Sequence, residues 1–262
     1  MLRPRIIPVL LIRDKGLVKT VNFNDGKYVG DPINAVKIFN EKEADELIVL
    51  DIDATSNNLK PNFDLIEKIA LECRMPLCYG GGIKDTETAK KIIELGVEKV
   101  ALSSAIIDNP ELINSLSNVI GRQSVVAVLD YKRTGLFKSQ TLFTKNGKSK
   151  TKFKLLDFVK IIKDLGGVGE LVLNSIDKDG TMSGYDFENL KLIRNIYDGQ
   201  ITILGGSSDL ENIKELISKF PIIGAAAGST FVFKGKYKAV LINYPNPKNK
   251  LDIINEANNT IL

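Results

Sequence analysis

Ser124–Lys132, SVVAVLDYK, is an apolar run that ends in a carboxylate, Asp130, with Lys132-Arg133 behind it. Arg5–Arg13, RIIPVLLIR, repeats the pattern near the N-terminus with one change. Laid over each other, Val128-Leu129-Asp130 falls on Val9-Leu10-Leu11 and Lys132 on Arg13. Further on, Gly135-Leu136-Phe137-Lys138 falls on Gly16-Leu17-Val18-Lys19. The chain therefore reads as two related halves that disagree where Asp130 meets Leu11.

The correspondence extends outward. Glu46-Leu47 matches Glu170-Leu171, and Gly81-Gly82 with Asp85 matches Gly205-Gly206 with Asp209. Ser103-Ser104 matches Gly228-Ser229. Short β-branched apolar runs recur near Arg5–Leu11, Glu46–Asp51, Pro76–Tyr79, Lys99–Leu102, Ser124–Asp130, Glu170–Asn174, Ile201–Leu204 and Ile222–Ala226. Continuous apolar runs suit strands covered on both faces, as in parallel sheets. Helical spacing separates them at Pro32–Glu43, Asn62–Cys73, Asp85–Leu95, Pro110–Ile120, Leu155–Leu165, Phe187–Ile196 and Leu210–Lys219. Asp31-Pro32, Asp85-Thr86 and Asn109-Pro110 carry helix-start chemistry.

Alternating β and α units leave an open doubly wound sheet or a closed barrel. Two copies of (β/α)4 close into a barrel, whereas the open sheet needs a reversal of strand order. The expected fold is therefore α/β, a single (β/α)8 TIM barrel over 1–262 with half-barrels about 1–122 and 123–262. Ile12–Gly30 and Tyr131–Lys154 exceed simple connections and read as lids, the second with a small hairpin turning at Asn146-Gly147. A last amphipathic helix is expected in the tail after Ala239.

Composition narrows the chemistry. A net charge of +4, not gathered in one run, argues weakly for anionic small molecules and against nucleic acid. With no histidine, Ser-His and Cys-His nucleophile pairs are excluded, leaving carboxylates and lysines for proton transfer. Cys73 and Cys78 read as buried thiols, and neither metal nor cofactor is expected. No apolar stretch reaches membrane length and no signal segment is evident, so a cytoplasmic location is expected.

Barrel enzymes place function on loops after the strand C-termini, with phosphate favouring the seventh and eighth. Leu204-Gly205-Gly206-Ser207-Ser208 and Ala227-Gly228-Ser229 stand there, with Tyr79-Gly80-Gly81-Gly82 and Leu102-Ser103-Ser104 in the equivalent places of the other half. Glycines admit backbone N–H groups to phosphate oxygens. One such loop is as readily a plain tight turn; four matching ones favour a ligand with a phosphate at each end. Asp130 is the candidate acid/base, since a carboxylate in a partly closed mouth can have its pKa raised; a loop cap is the plainer alternative. Ser175–Thr181 after the sixth strand reads as a functional loop, and Lys19 as either an anion clamp or a solvated charge. Arg5, Glu46, Lys99 and Glu170 each precede an apolar run, with signs that suit a ring of ion pairs at the barrel bottom. Structural stability is the plain expectation there; the cost of dehydrating such a ring invites a gate.

Over nearly its whole length the chain resembles the HisF family, the cyclase subunit of imidazole glycerol phosphate synthase. The residues are Arg5-Ile-Ile, Gly30-Asp31-Pro32, Asp45-Glu46-Leu47, Leu50-Asp51-Ile52, Gly80-Gly-Gly-Ile83, the run Ser175–Asp186, and the Gly205-Gly206 and Gly228-Ser229 turns. The resemblance implies a barrel that receives ammonia from a separate HisH-like glutaminase docked on its bottom face and passes it along the axis to a bisphosphorylated substrate. It implies that Arg5, Glu46, Lys99 and Glu170 gate the tunnel. It also implies phosphate contacts at Gly82, Ser104, Asp179, Gly180, Gly206 and Ser229, with Lys19 on a closing loop.

Departures from the family pattern are specific. Its chemistry uses aspartates at the ends of the first and fifth strands; Asp130 matches the second, but Leu11 stands at the first. Ser103 replaces a usual asparagine and Leu204 a usual serine. The opening, with Gly16–Thr20 and Tyr28–Pro32, is similar to a divergent branch that supports amidination of an acetamido sugar of surface polysaccharide beside an ATP-dependent amidotransferase. Two alternatives stand next to that function. One is imidazole glycerol phosphate cyclase activity, with Asp51 or Asp177 as the second acid. The other is a non-catalytic scaffold that activates a glutaminase.

Overall fold

Side chains along each long strand alternate between two separate apolar cores. In the first strand Ile6 and Leu10 face outward to the helices, while Ile7 and Val9 face inward to the axis. The computed structural model describes residues 3–136 and 138–259. Phe137, part of the repeat, and both ends of the expected 1–262 domain lie outside the described residues.

Eight parallel strands close on themselves: β1 (Arg5–Arg13), β2 (Leu47–Asp51), β3 (Leu77–Gly80), β4 (Lys99–Leu102), β5 (Val125–Thr134), β6 (Glu170–Ser175), β7 (Ile201–Leu204) and β8 (Gly224–Ala227). Closure runs through β8 onto β1, with Ile7 opposite Ala226. Helices between the strands cover the outer face, as right-handed crossovers require, and the chain is a (β/α)8 barrel as expected. Several helices start as the sequence suggests. Asp31, Asn62, Asp85, Asp186 and Asp209 each accept a hydrogen bond from the backbone N–H three residues on. The helix expected from Pro110 instead begins at Leu112. Asn109, extended before proline, offers only its carbonyl, to the Leu112 N–H at 3.2 Å.

The segment after β1 is not a lid without structure. β1 continues to Arg13 and pairs antiparallel with Gly16–Val21, which pairs in turn with Asn24–Gly30. Both turns are two-residue turns of positive φ, Asp14-Lys15 and Asn22-Phe23. They lack the Asn-Gly or Asp-Gly signal that announces such turns, so the hairpins were not legible. After β5 the expected hairpin is present: Ser139–Thr144 pairs with Ser149–Lys154 around Asn146-Gly147, and β5 itself extends to Thr134.

At the bottom, the chain's end ties back to its beginning. The Tyr244 hydroxyl donates to the Ile6 carbonyl at 2.9 Å, and Asp45 accepts from the Ile6 N–H at 2.9 Å and pairs with Lys250 at 2.8 Å. The final helix, Pro247–Asn259, packs on Leu210–Lys219. Among the described residues no helix is long and apolar enough to cross a membrane.

Candidate active site at the mouth and the charged ring below it

Strand parity decides which side chains enter the barrel. Every second residue of a strand faces the same way. On β1 the inward series is Arg5, Ile7, Val9, Leu11; on β5 it is Val126, Val128, Asp130; on β6 it is Glu170, Val172, Asn174. Charged residues therefore collect below, apolar ones in the middle, and Leu11, Asp130 and Asn174 at the mouth.

Below, the four residues close into one ring. Arg5 bonds Glu46 with one guanidinium nitrogen and Glu170 with the other at 2.7 Å. Lys99 bridges Glu46 at 2.7 Å and Glu170 at 2.8 Å. Each carboxylate thus touches both cations, and the Thr202 hydroxyl donates to Glu170 as a further partner. Burial opposes ionisation of Glu170, but its hydrogen bond from Arg5 and the two adjacent positive charges outweigh that and hold it at about 2. Glu46 is pushed up by burial and by the charge of Glu170. Because each carboxylate shares both cations, a proton on either one weakens the whole ring.

Above the ring, Ile7, Ile48, Cys78, Val126, Val172 and Ala226 line the axis. Cys78 and Cys73 are both free thiols, as expected, although Cys73 is only half-buried. Burial raises Cys78 well above the ordinary thiol range, so the axis carries a neutral SH.

The mouth is a cavity of about 510 Å³. Leu11, Leu50, Val9, Val128 and Leu204 form its apolar floor, and Asp130 stands among them. Asn174 Nδ2 donates to Asp130 Oδ1 at 2.8 Å and Ser103 Oγ donates to Oδ2 at 3.1 Å. Burial is the largest influence on Asp130, raising it to about 7 against those two hydrogen bonds, with Asp179 adding repulsion. A carboxyl that titrates near neutrality can both give and take a proton. It is not a loop cap: both its oxygens accept from side chains at the ends of the two neighbouring strands.

Asn174 went unremarked in the sequence although the repeat contained the signal. The register that sets Asp130 opposite Asn174 sets Leu11 opposite Leu50 in the first half. The mouth is therefore apolar on one side and polar on the other. Thr202 was likewise missed; nothing in the local pattern singles it out.

The other expected site residues are gathered around the same cavity. Gly82, Ser104, Asp179, Gly180, Gly206, Ser229 and Lys19 all line it. Lys19 corrects the picture of a solvated or lid-borne charge. It lies on the strand Gly16–Val21, is only 5% exposed, and donates to the Val9 carbonyl at 2.5 Å. Burial lowers its pKa to about 8. The Asp179 carboxylate is engaged in fastening that hairpin, accepting from Thr20 Oγ1 at 2.9 Å and from the Phe23 N–H at 3.3 Å. Gly180, at φ 68°, lets the Thr20 carbonyl pass where a Cβ would otherwise sit. Gly82, at φ 71°, donates its N–H to Thr55 Oγ1 at 3.2 Å. Ser104 Oγ accepts from the Lys145 N–H at 3.1 Å, which seats the second hairpin on the rim. Gly205-Gly206 and Ser229 stand four strands around the barrel from Gly82 and Ser104, so the paired loops face each other across the mouth.

The two alternative second acids part company. Asp51 lines the cavity, where burial raises its pKa, although one oxygen accepts from the Asp53 and Ala54 N–H groups. Asp177 is exposed, accepts from the Arg133 N–H at 2.8 Å, and does not reach the mouth. Exposed and held by Arg133 away from the cavity lining, Asp177 does not stand in for an aspartate at position 11.

A family model described as Histidine biosynthesis protein matches residues 5–238. Over 250 residues the chain is 55% identical to a provisionally named imidazole glycerol phosphate synthase subunit HisF of Leptospira borgpetersenii, covering 95% of this chain and 98% of that one. It is 46% identical over 253 residues to the provisionally named subunit hisF2 of Pseudomonas aeruginosa, covering 97% and 100%. Against the imidazole glycerol phosphate synthase subunit HisF of Streptococcus mutans, identity is 38% over 231 residues, covering 88% and 91%.

Proposed function

The chain belongs to the histidine biosynthesis protein family as a HisF-type subunit, and on that premise we propose that it carries ammonia from a glutaminase partner to an acceptor bound at the mouth. The observation that carries this is the pairing of a complete charged ring below with Asp130, the inward acid of its strand, above. Arg5, Glu46, Lys99 and Glu170 form a closed, charge-neutral door on the axis. Opening it breaks ion pairs that are costly to leave unmatched in a buried site. Ammonia is small and uncharged once deprotonated, so it suits the apolar passage between ring and mouth. At the mouth, Asp130 is the one inward acid of the two strand ends that the repeat relates.

The acceptor we propose is a phosphorylated small molecule, and the process served is amidination of a surface-polysaccharide sugar, in concert with an ATP-dependent amidotransferase. Leu11 supports it: a leucine removes one of the two proton carriers that ring closure to an imidazole demands, but leaves the path that delivers nitrogen to an acceptor at the mouth. The phosphate contacts proposed at Gly82, Ser104, Gly180, Gly206 and Ser229 fit loops that meet across the mouth, with Lys19 as a buried cation beside Ser229. The test is ammonia transfer in a reconstituted mixture of glutaminase, amidotransferase and this chain. Amidination that proceeds equally well without the chain would end the proposal.

A cyclase reading is favoured by one observation, the presence of Asp51 on the cavity wall with a raised pKa. Turnover of the bisphosphorylated substrate with ammonium salts separates the two. On the amidination reading the wild-type chain gives none, and Leu11→Asp restores a measurable rate.

A further inference from the structure

The second hairpin carries a charge pattern that neither the barrel nor the mouth explains. From Tyr131 to Lys154 there are eight cations, Lys132, Arg133, Lys138, Lys145, Lys148, Lys150, Lys152 and Lys154, and no acid. The whole chain has a net charge of only +4, so the rest of the protein is net negative. All eight are exposed, and among the described residues only Arg133 makes an ion pair, with Glu188 at 3.1 Å and Asp186 at 3.9 Å. Like charges this close repel, and such crowding weakens a hairpin. One or two lysines are enough to blunt an exposed edge; this many, without a single acid between them, exceed that need.

The strand Ser149–Lys154 concentrates the pattern. Lys150, Lys152 and Lys154 alternate with the half-buried Ser149, Thr151 and Phe153, so their ammonium groups lie on one face. Neighbouring ones are about 6.7 Å apart along a strand. The strand pairs on one side with Ser139–Thr144 and ends the sheet on the other, with no strand partner there among the described residues. The Phe153 N–H donates to the Thr151 hydroxyl at 3.1 Å, where the register against Ser139–Thr144 shifts between Thr141 and Phe143. The site also adjoins the mouth: Lys145 and Asn146 at the hairpin turn line the cavity.

We propose that this edge is a docking site for an extended acidic segment of a partner protein, added as a further strand with carboxylates at alternate positions. Carboxylates on one face of an added strand meet the exposed ammonium groups of Lys150, Lys152 and Lys154, which share a face of this strand. Its backbone takes up the free edge, which a nucleic acid strand cannot do. Binding here sets the partner beside the opening of the cavity. The inference does not depend on the ammonia reading, because Lys150, Lys152 and Lys154 stand outside the cavity lining.

The test uses the full-length chain and a fluorescent capped peptide alternating glutamate and valine, followed by anisotropy at low and high salt. We expect saturable binding that weakens with salt. It should fall by about tenfold or more, equivalent to about 1.4 kcal/mol, when Lys150, Lys152 and Lys154 are all changed to glutamine. Amide hydrogen exchange should slow within Ser149–Lys154 when the peptide is added. Circular dichroism and an unchanged melting temperature establish that the triple variant is folded. The proposal is overturned if the peptide fails to bind the wild type, if it binds the triple variant equally well, or if exchange in the strand is unaltered. It is also overturned if an oligonucleotide of equal charge binds more tightly and protects the same amides.

Discussion

Replacing Asp130 by asparagine removes a titrating group from the mouth while keeping its shape and most of its hydrogen bonds. Asn174 can still donate to the new amide oxygen, and the Ser103 hydroxyl can rotate to accept from the new NH₂. Burial holds Asp130 at about 7 against an ordinary 3.8. At 1.36 kcal/mol for each tenfold change in proton affinity, that difference amounts to about 4 kcal/mol between the charged and neutral folded states. Because the cavity opens to water, we expect about 2–4 kcal/mol in practice. The sign follows from proton counting. Between the two pKa values the folded protein holds a proton that the unfolded chain has released, so wild-type stability falls as pH rises from about 4 to about 7 and then levels off. Asp130→Asn is therefore more stable than wild type at pH 8, by roughly 4–12 °C in melting temperature for a chain of this size. The two proteins converge as pH falls toward 4. Thermal unfolding of both across that range measures the difference, and carbon-13 NMR of labelled aspartate reads the pKa directly. An Asp130 that titrates near 4, or a stability difference that does not change with pH, would refute the reasoning that burial dominates this site.

Lys99→Met should cost about 3–5 kcal/mol, because it leaves Glu46 and Glu170 sharing one cation in a buried ring. Glu46 relieves the strain by taking a proton, so chemical denaturation should show a larger loss at alkaline than at mildly acidic pH. Gly180→Ala forces a Cβ against the Thr20 carbonyl at a positive φ; it should cost about 1–3 kcal/mol and speed exchange of the Gly16–Val21 amides. Tyr244→Phe removes the hydroxyl that donates to the Ile6 carbonyl, leaving a buried acceptor unmatched, and should lower stability by about 1–3 kcal/mol in urea.

The barrel was legible because its information is local and repeated. A strand buried on both faces must be apolar at every position, so β1, β5 and β6 announce themselves in Ile6–Ile12, Val125–Leu129 and Leu171–Leu173. Asp31 and Asp85 mark helix starts and accept from the backbone N–H three residues on, whereas the Asn109-Pro110 signal stands ahead of a helix that begins at Leu112. The ring residues were equally legible, since each sits one step before an apolar run. The first hairpins were not, because Asp14-Lys15 and Asn22-Phe23 take positive φ without glycine, held there by pairing on both sides. Lys19 was misjudged for the same reason: only the folded hairpin buries it.

Residue types and spacing by themselves established a repeated (β/α) chain, the four charges of the ring, the retained Asp130 and the leucine at position 11. Tertiary structure alone decided what surrounds each of them. Proton affinity, for example, depends on distance and dielectric between groups far apart in the chain. Asp130 is near neutrality because Asn174 and Ser103 meet it inside an apolar barrel, and Glu170 is strongly acidic because Arg5 and Lys99 converge on it. The same carboxylate chemistry thus takes opposite directions at Glu170 and Asp130 of one barrel.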